Sequence, residues 1–259
     1  FTANGQKLLV ANEATPTTYG GFDPAGSVSI IDMSTRSVTA TAGLNGVAQS
    51  GSYIRQASST GMDFEPEYIT TNAAGTKAYV TLQEANAIGV LDLQSNSFSQ
   101  VIGLGAKNFA APGNSIDPSH KDGKIQLRSA NVVGLYQPDS IAAYEAKGKT
   151  YLVMANEGDT REDDGDKARV KDKASLSGAP SDLGQLNVST TDSTSGTNLV
   201  TFGGRSFSIR DDNGNLVFDS GNQLDAEAIA RGIYDDGRSD DKGVEPEGVS
   251  LMTLGGRTL

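Results

Sequence analysis

Cysteine is absent from the 259 residues, which excludes disulfides, thiolate metal sites and cysteine nucleophiles. A single histidine, His120, leaves no material for a histidine-based metal cluster. Basic residues are in the minority: 21 Lys and Arg stand against 32 Asp and Glu, for a net charge of −11. That balance denies the chain the basic face of a nucleic-acid binder and the polybasic patch of a membrane-surface protein. No apolar run reaches the roughly 18 residues of a transmembrane helix. The first residues, Phe1-Thr-Ala-Asn-Gly-Gln-Lys7, have neither the basic nor the apolar segment of a signal peptide. What is present is 36% hydrophobic and rich in Gly, Ser, Thr, Asn and Asp. That suffices for a folded domain and fits a bacterial secreted protein.

The chain repeats itself. A glycine turn followed by an apolar strand recurs in Asn4-Gly-Gln-Lys-Leu-Leu-Val-Ala-Asn-Glu13, Ala74-Gly-Thr-Lys-Ala-Tyr-Val-Thr-Leu-Gln-Glu84 and Lys147-Gly-Lys-Thr-Tyr-Leu-Val-Met-Ala-Asn-Glu157, and begins again at Gly255. The three complete copies end on an amide followed by glutamate, at a period of about 70 residues. A second strand follows each: Gly26–Asp32, Asn86–Asp92 and Arg205–Asp211, alternating in polarity and ending at an aspartate. A proline followed by an acid, at the entry to a further strand, precedes the glycine turns, in Glu65-Pro-Glu67, Gln137-Pro-Asp139 and Glu245-Pro-Glu247. Proline is tolerated at a first strand position, where the N–H can be spared.

The repeating unit is therefore four antiparallel strands, A to D, and such units arranged about an axis make a β-propeller. The predicted fold class is all-β: a β-propeller of four-stranded antiparallel blades, present as an incomplete arc. Residues 1–42 read as strands B–D of one blade, 65–102 as a blade, 137–220 as a blade with a long insertion, and 245–259 as the start of the next, all within a single propeller. Both ends read as the interior of a domain, so missing propeller segments from the same polypeptide are expected to complete it.

Every long connection falls between B and C or between D and A, at 14–25, 43–64, 104–136, 158–204 and 221–244, which puts all of them on one face. The stretch 187–198, rich in Ser, Thr, Asn and Gly, reads as a mobile loop. Strand A is the innermost strand of a blade, so Glu67, Asp139 and Glu247 are expected at the channel mouth, with Glu157, Asp159 and Glu162 near it. Glu13, Glu84 and Glu157 mark the same face further out. Converging carboxylates repel unless a cation sits among them. Oxygen donors suit Ca²⁺, with Mg²⁺ or another divalent metal as further choices, whereas the poverty in His and Cys disfavours zinc. The bland alternative is a set of solvated strand caps. Arg161, Arg205 and Lys242 could instead clamp an anion or phosphate. His120 lies near Asp117, but no nucleophile elbow accompanies it. Asp211-Asp-Asn-Gly-Asn215 reads as a hairpin turn rather than a calcium loop.

The motifs Leu9-Val-Ala-Asn-Glu13, Asp63-Phe-Glu-Pro-Glu-Tyr-Ile69, Ala155-Asn-Glu-Gly-Asp-Thr-Arg-Glu162, Leu216-Val-Phe-Asp-Ser-Gly221 and Arg238-Ser-Asp-Asp-Lys-Gly-Val-Glu-Pro-Glu-Gly248 resemble the choice-of-anchor I family, in order and over nearly the whole chain. That family includes the domain of mesenchyme-specific cell surface glycoproteins and bacterial proteins often labelled alkaline phosphatases. The resemblance implies a β-propeller, export, and attachment to the cell surface through a separate C-terminal anchor. Residues 222–237 are shorter and less acidic than the family's pattern, so no metal site is carried over there, and no catalytic residue is carried over anywhere. Two functions follow. One is an exported surface propeller with a calcium-binding face that binds a cell-surface or matrix component or a mineral. The other is a metal-dependent phosphomonoesterase acting on a small phosphoester. No partner nucleic acid is expected. The expected location is bacterial extracellular or outer surface.

Overall fold

The computed structural model describes residues 1–14, 24–56, 64–161, 165–255 and 257–258. These are organised mostly as β-strands in several small sheets. The first sheet is an antiparallel meander of β1 (Lys7–Asn12), β2 (Ser27–Asp32) and β3 (Ser37–Gly43). After β4 (Gln49–Ser52), a second meander runs through β5 (Pro66–Thr71), β6 (Lys77–Leu82), β7 (Ala87–Asp92) and β8 (Ser97–Leu104). Strand β4 pairs in parallel with β8, giving the order β4-β8-β7-β6-β5. The short strands β9 (Ala106–Asn108) and β10 (Val133–Leu135) follow, and β11 (Ile141–Ala146) and β12 (Lys149–Asn156) open a third meander. An insertion carrying β13 (Lys167–Arg169), β14 (Asn187–Ser189) and β15 (Val200–Thr201) precedes β16 (Ser206–Asp211) and β17 (Leu216–Asp219). These two complete a four-stranded sheet, β11-β12-β16-β17. The helix α1 (Gln223–Ala230) and a small hairpin of β18 (Thr253–Leu254) and β19 (Arg257–Thr258) end the described chain. The all-β expectation holds, and no sheet closes on itself among the described residues. No helix there is long and apolar enough to cross a membrane.

The turns repeat the same chemistry. Asp32 accepts hydrogen bonds from the amides of Ser34 and Thr35, Asp92 from those of Gln94 and Ser95, and Asp211 from those of Asn213 and Asn215. An aspartate that satisfies the amides of its own turn favours the reversal. Between β5 and β6, and between β11 and β12, Gly75 and Gly148 adopt φ of +64° and +72°, a backbone that suits residues without Cβ.

Stacking of the sheets explains a pattern that strand alternation alone does not. Strands β6 and β7 are buried on both faces. On one side Val80, Leu82, Leu91 and Phe98 pack with Leu9, Val28, Ile30 and Leu44 of the first sheet region. On the other, Tyr79, Ile88, Val90 and Ile102 pack with Ile141, Leu152 and Met154 of the third sheet. The second sheet is thus the filling between its neighbours, and β5 lies beside both β1 and β11.

The insertion has a core of its own, in which Val170, Leu176, Leu183, Leu186 and Val188 pack with Phe109, Ile116 and Val132. This corrects the expectation of a mobile loop at 187–198. Asn187–Ser189 pairs with β13, and Val188 and Ser189 are buried. Buried charge helps hold the segment: Arg55 reaches from the loop after β4 to Asp166 at 2.5 Å and to Asp192 at 2.9 Å. Strand β4 and helix α1 occupy stretches that the repeat pattern leaves as loops.

Leu152 is fully buried between the second and third sheets. Leu152→Ala is expected to cost about 2–5 kcal/mol of unfolding free energy, measured by urea denaturation.

Candidate functional site

The carboxylates gather because two kinds of strand end meet on one rim. Pro66 opens β5, and the β5–β6 register shifts between Pro66 and Ile69, so Glu67 sits in a bulge. A bulge re-aims the side chain it carries. The bulge is fixed by Thr81, whose hydroxyl accepts from the Tyr68 amide at 2.9 Å and donates to the Asp139 carbonyl at 3.0 Å. That bond ties the Glu67 corner to the Asp139 corner of the next sheet. Ser140 likewise donates to the Glu247 carbonyl at 2.5 Å, linking the second corner to the third.

Backbone strain marks the same rim. Gln137 and Glu245, each preceding a corner proline, adopt φ of +44° and +47°. Such values are unusual for residues with side chains, and surrounding contacts must hold them. For Gln137 those contacts are visible. Its amide donates to Asn86 Oδ1 at 2.9 Å, its side chain donates to the Asp159 carbonyl at 2.5 Å, and its Oε1 accepts from the Gly203 amide at 3.3 Å. Gln137 thereby fixes where the 157–159 segment leaves β12.

The amide–glutamate ends divide by function. Asn12 and Asn156 spend their amides on serines of the adjacent strand, Ser27 and Ser29 for the first and Ser206 for the second. Gln83 instead crosses between sheets and donates to Glu157 Oε2 at 3.0 Å. Lys242 lies on the other side of Glu157, with Nζ 3.0 Å from Glu157, 3.3 Å from Glu245 and 3.9 Å from Asp159. Arg238 pairs with Glu245 in turn.

Electrostatics follow from this crowding. Burial, then the charges of Glu84, Asp139, Glu13 and Asp159, push Glu67 up to about 10. Burial, then Glu65, pushes Glu84 up to about 8. Asp139 rises to about 6 through burial and then Glu157, Glu247 and Asp159, with Lys242 pulling the other way. For Lys242, burial is the largest influence and would lower the ammonium, yet Asp159 and Glu157 together hold it above its usual value.

The sequence-derived set is therefore split. Glu67 and Asp139 face a shared acidic region, and Glu157 and Asp159 reach it while flanking Lys242. Glu247 is exposed at its margin, and Glu162 lies outside the described residues. Glu84, which the repeat sets further out, exerts the strongest charge effect on Glu67. Its position after an amide at the end of strand B is the signal that could have placed it in the set. Among the described residues, no three His, Asp or Glu side chains stand close enough together to hold a metal as they are.

The three cations proposed for an anion are differently employed. Arg205 is buried and donates to the carbonyls of Asp117, Ser239 and Asp241 at 3.2, 2.8 and 3.1 Å. Arg161 donates its amide to Asp166 and holds its guanidinium 3.5 Å from the same carboxylate. Lys242 is shared among three carboxylates, as above. His120 meets Asp240 at 2.5 Å rather than Asp117.

The sequence profile of the choice-of-anchor I domain matches residues 1–259. The chain belongs to the choice-of-anchor I family. Membership implies association with the cell surface. No curated protein matches this choice-of-anchor I domain. Among solved structures, it is similar to Kuenenia stuttgartiensis hydrazine synthase at 16% identity and a TM-score of 0.25, over 74% of this chain and 42% of that one. The chain thus spans less than half of that protein, and a likeness at this score carries no argument.

Two outcomes are expected of the acidic rim of this choice-of-anchor I domain. Glu67, Glu84 and Asp139 bind their protons more tightly folded than unfolded. Their stabilising effect is therefore lost as pH rises from ordinary carboxylate values through about 6, 8 and 10. In chelator, the melting temperature should fall between about pH 5 and pH 9, and Glu67→Gln should flatten that slope. Removing the shared cation in Lys242→Met should cost about 3 kcal/mol at neutral pH, measured by urea denaturation, because Glu157 is left largely buried without its partner.

Proposed function

We propose that this chain is an exported, surface-associated β-propeller segment whose carboxylate-rich rim binds a divalent cation of the calcium class. Through that rim it engages a cell-surface or matrix component or a mineral. The propeller reading draws support from three successive meanders, stacked face to face with their first strands side by side. The blades would be 1–42, 65–102 and 137–220, with 245–259 opening another.

The observation that carries the binding reading is the convergence of Glu67, Glu84, Asp139, Glu157 and Asp159 on one rim with Lys242 as the cation within it. One ammonium does not neutralise that many carboxylates, and burial, then the neighbouring carboxylates, pushes two of them up to about 10 and about 8. Carboxylate oxygens are the donors that Ca²⁺ and Mg²⁺ prefer, and extracellular calcium modules work at modest affinity. The same ion, bound between corners on adjacent sheets, would tie them together and leave outward-facing oxygens such as those of Glu247 for a partner.

The phosphomonoesterase alternative has less behind it. It needs cations free to clamp phosphate, and Arg205 is directed into the interior while Lys242 is committed to carboxylates.

Calcium binding should raise the melting temperature by mass action, equivalent to about 2.7 kcal/mol at a free concentration 100 times Kd. EDTA should reverse the rise, and adhesion to bacterial envelope or to calcium mineral should follow the same dependence. Scanning calorimetry with Ca²⁺, Mg²⁺ and EDTA checks it; a melting temperature indifferent to all three would overturn the reading. A generic phosphomonoester should not be turned over.

A further inference from the structure

We propose that the divalent cation is seated on Glu67 and Glu84, two carboxylates at one end of the second sheet whose Oε2 atoms are buried and have no hydrogen-bond partner among the described residues. This rests on the cation-binding reading above and assigns its seat. Glu84 is 8% exposed, so water gives it little relief. Buried carboxylate oxygens are ordinarily supplied with donors, and an orphaned pair in one place points to a missing positive partner.

The backbone puts the two groups together. Pro66 of β5 pairs with Leu82 of β6, so Glu67, the second residue of β5, and Glu84, two residues past the end of β6, stand at the same strand-pair end. The bulge at Glu67 turns it toward that end, and Thr81 holds the bulge in place. Gly26 brings the first sheet to the same spot: a Cβ there would lie 2.1 Å from the Phe64 carbonyl and 3.2 Å from the Glu13 carbonyl. The seat is thus at the junction of the first and second sheets, with the Asp139 corner of the third joined to it through Thr81.

The neighbouring carboxylates are already served. Glu157 has Lys242 on one oxygen and Gln83 on the other, both at 3.0 Å. Asp159 accepts from the Thr160 amide at 2.7 Å and also faces Lys242. A metal at Glu157 and Asp159 would have to displace the ammonium, whereas the Oε2 atoms of Glu67 and Glu84 have no partner among the described residues to give up. Two carboxylates completed by water suit Mg²⁺ or a low-affinity Ca²⁺ site.

The test uses the whole 259-residue chain. Calcium titration by calorimetry should give a dissociation constant in the range of roughly 0.1–1 mM. Glu67→Gln and Glu84→Gln should each weaken it at least ~10-fold, while Glu157→Gln should change it less than ~3-fold. Should either of the first two variants fail to fold, the wild-type chain decides. Substoichiometric Mn²⁺ should broaden the amide resonances around Glu67 and Glu84 before those of Glu157 and Asp159. Broadening that starts at 157–159, with calcium binding intact in Glu84→Gln, would overturn the seat and leave the cation-binding reading standing. A wild-type chain that takes up neither Ca²⁺ nor Mg²⁺ at roughly 10 mM would overturn both.

Discussion

Repulsion among like charges at one rim is the constraint on which the rest of this structure depends. The second and third sheets bring acidic corners to the same place, because each starts strand A and ends strand B with an acid, and the first sheet adds Glu13 at the end of β1. The chain answers the repulsion in three ways. It inserts Lys242 between Glu157, Asp159 and Glu245. It holds the backbone of the rim with Gln137 and Thr81, so that the corners cannot splay. It buries Glu67 and Glu84 deeply enough that they retain protons.

The fold was readable where the chemistry is local. Alternating polarity, glycine turns and aspartates that close their own reversals mark most strands of the three meanders. Elements held by distant partners were not readable. Strand β4, Gln-Ser-Gly-Ser, has no apolar signature and exists because β8 offers it a free edge, with Gly51 and Gly103 allowing close approach. The polar stretch around Asn187–Ser189 is ordered by an apolar core contributed largely from elsewhere and by Arg55, about 110 to 140 residues away in sequence. Helix α1 has a local signal, since Gln223-Leu-Asp-Ala-Glu-Ala-Ile-Ala230 is rich in helix formers, but it falls between strands D and A, where the repeat itself specifies no element.

The site was half legible for a related reason. Register fixes which residues stand at equivalent corners, so Glu67 and Asp139 could be placed by counting. Counting does not say which oxygens already have donors. That depends on Gln83 crossing to the neighbouring sheet, and on Lys242 returning from a segment about 85 residues beyond Glu157. Arg205 is the converse: a cation with the right charge for an anion site whose two terminal guanidinium nitrogens are turned to three carbonyls of the interior.

The parallel pairing of β4 with β8 also has a mechanical meaning. Strand β4 lies in the connection between the first and second sheets, yet it is stitched to β8, the last strand of the second meander. Tension drawing the first sheet away must slide β4 along β8, so the ladder from Gln49 to Ser52 is loaded in shear and its bonds must yield together rather than in succession. For a protein associated with a cell surface, where flow exerts drag on the chain, that arrangement makes an otherwise unremarkable run of small polar residues a catch against unpeeling.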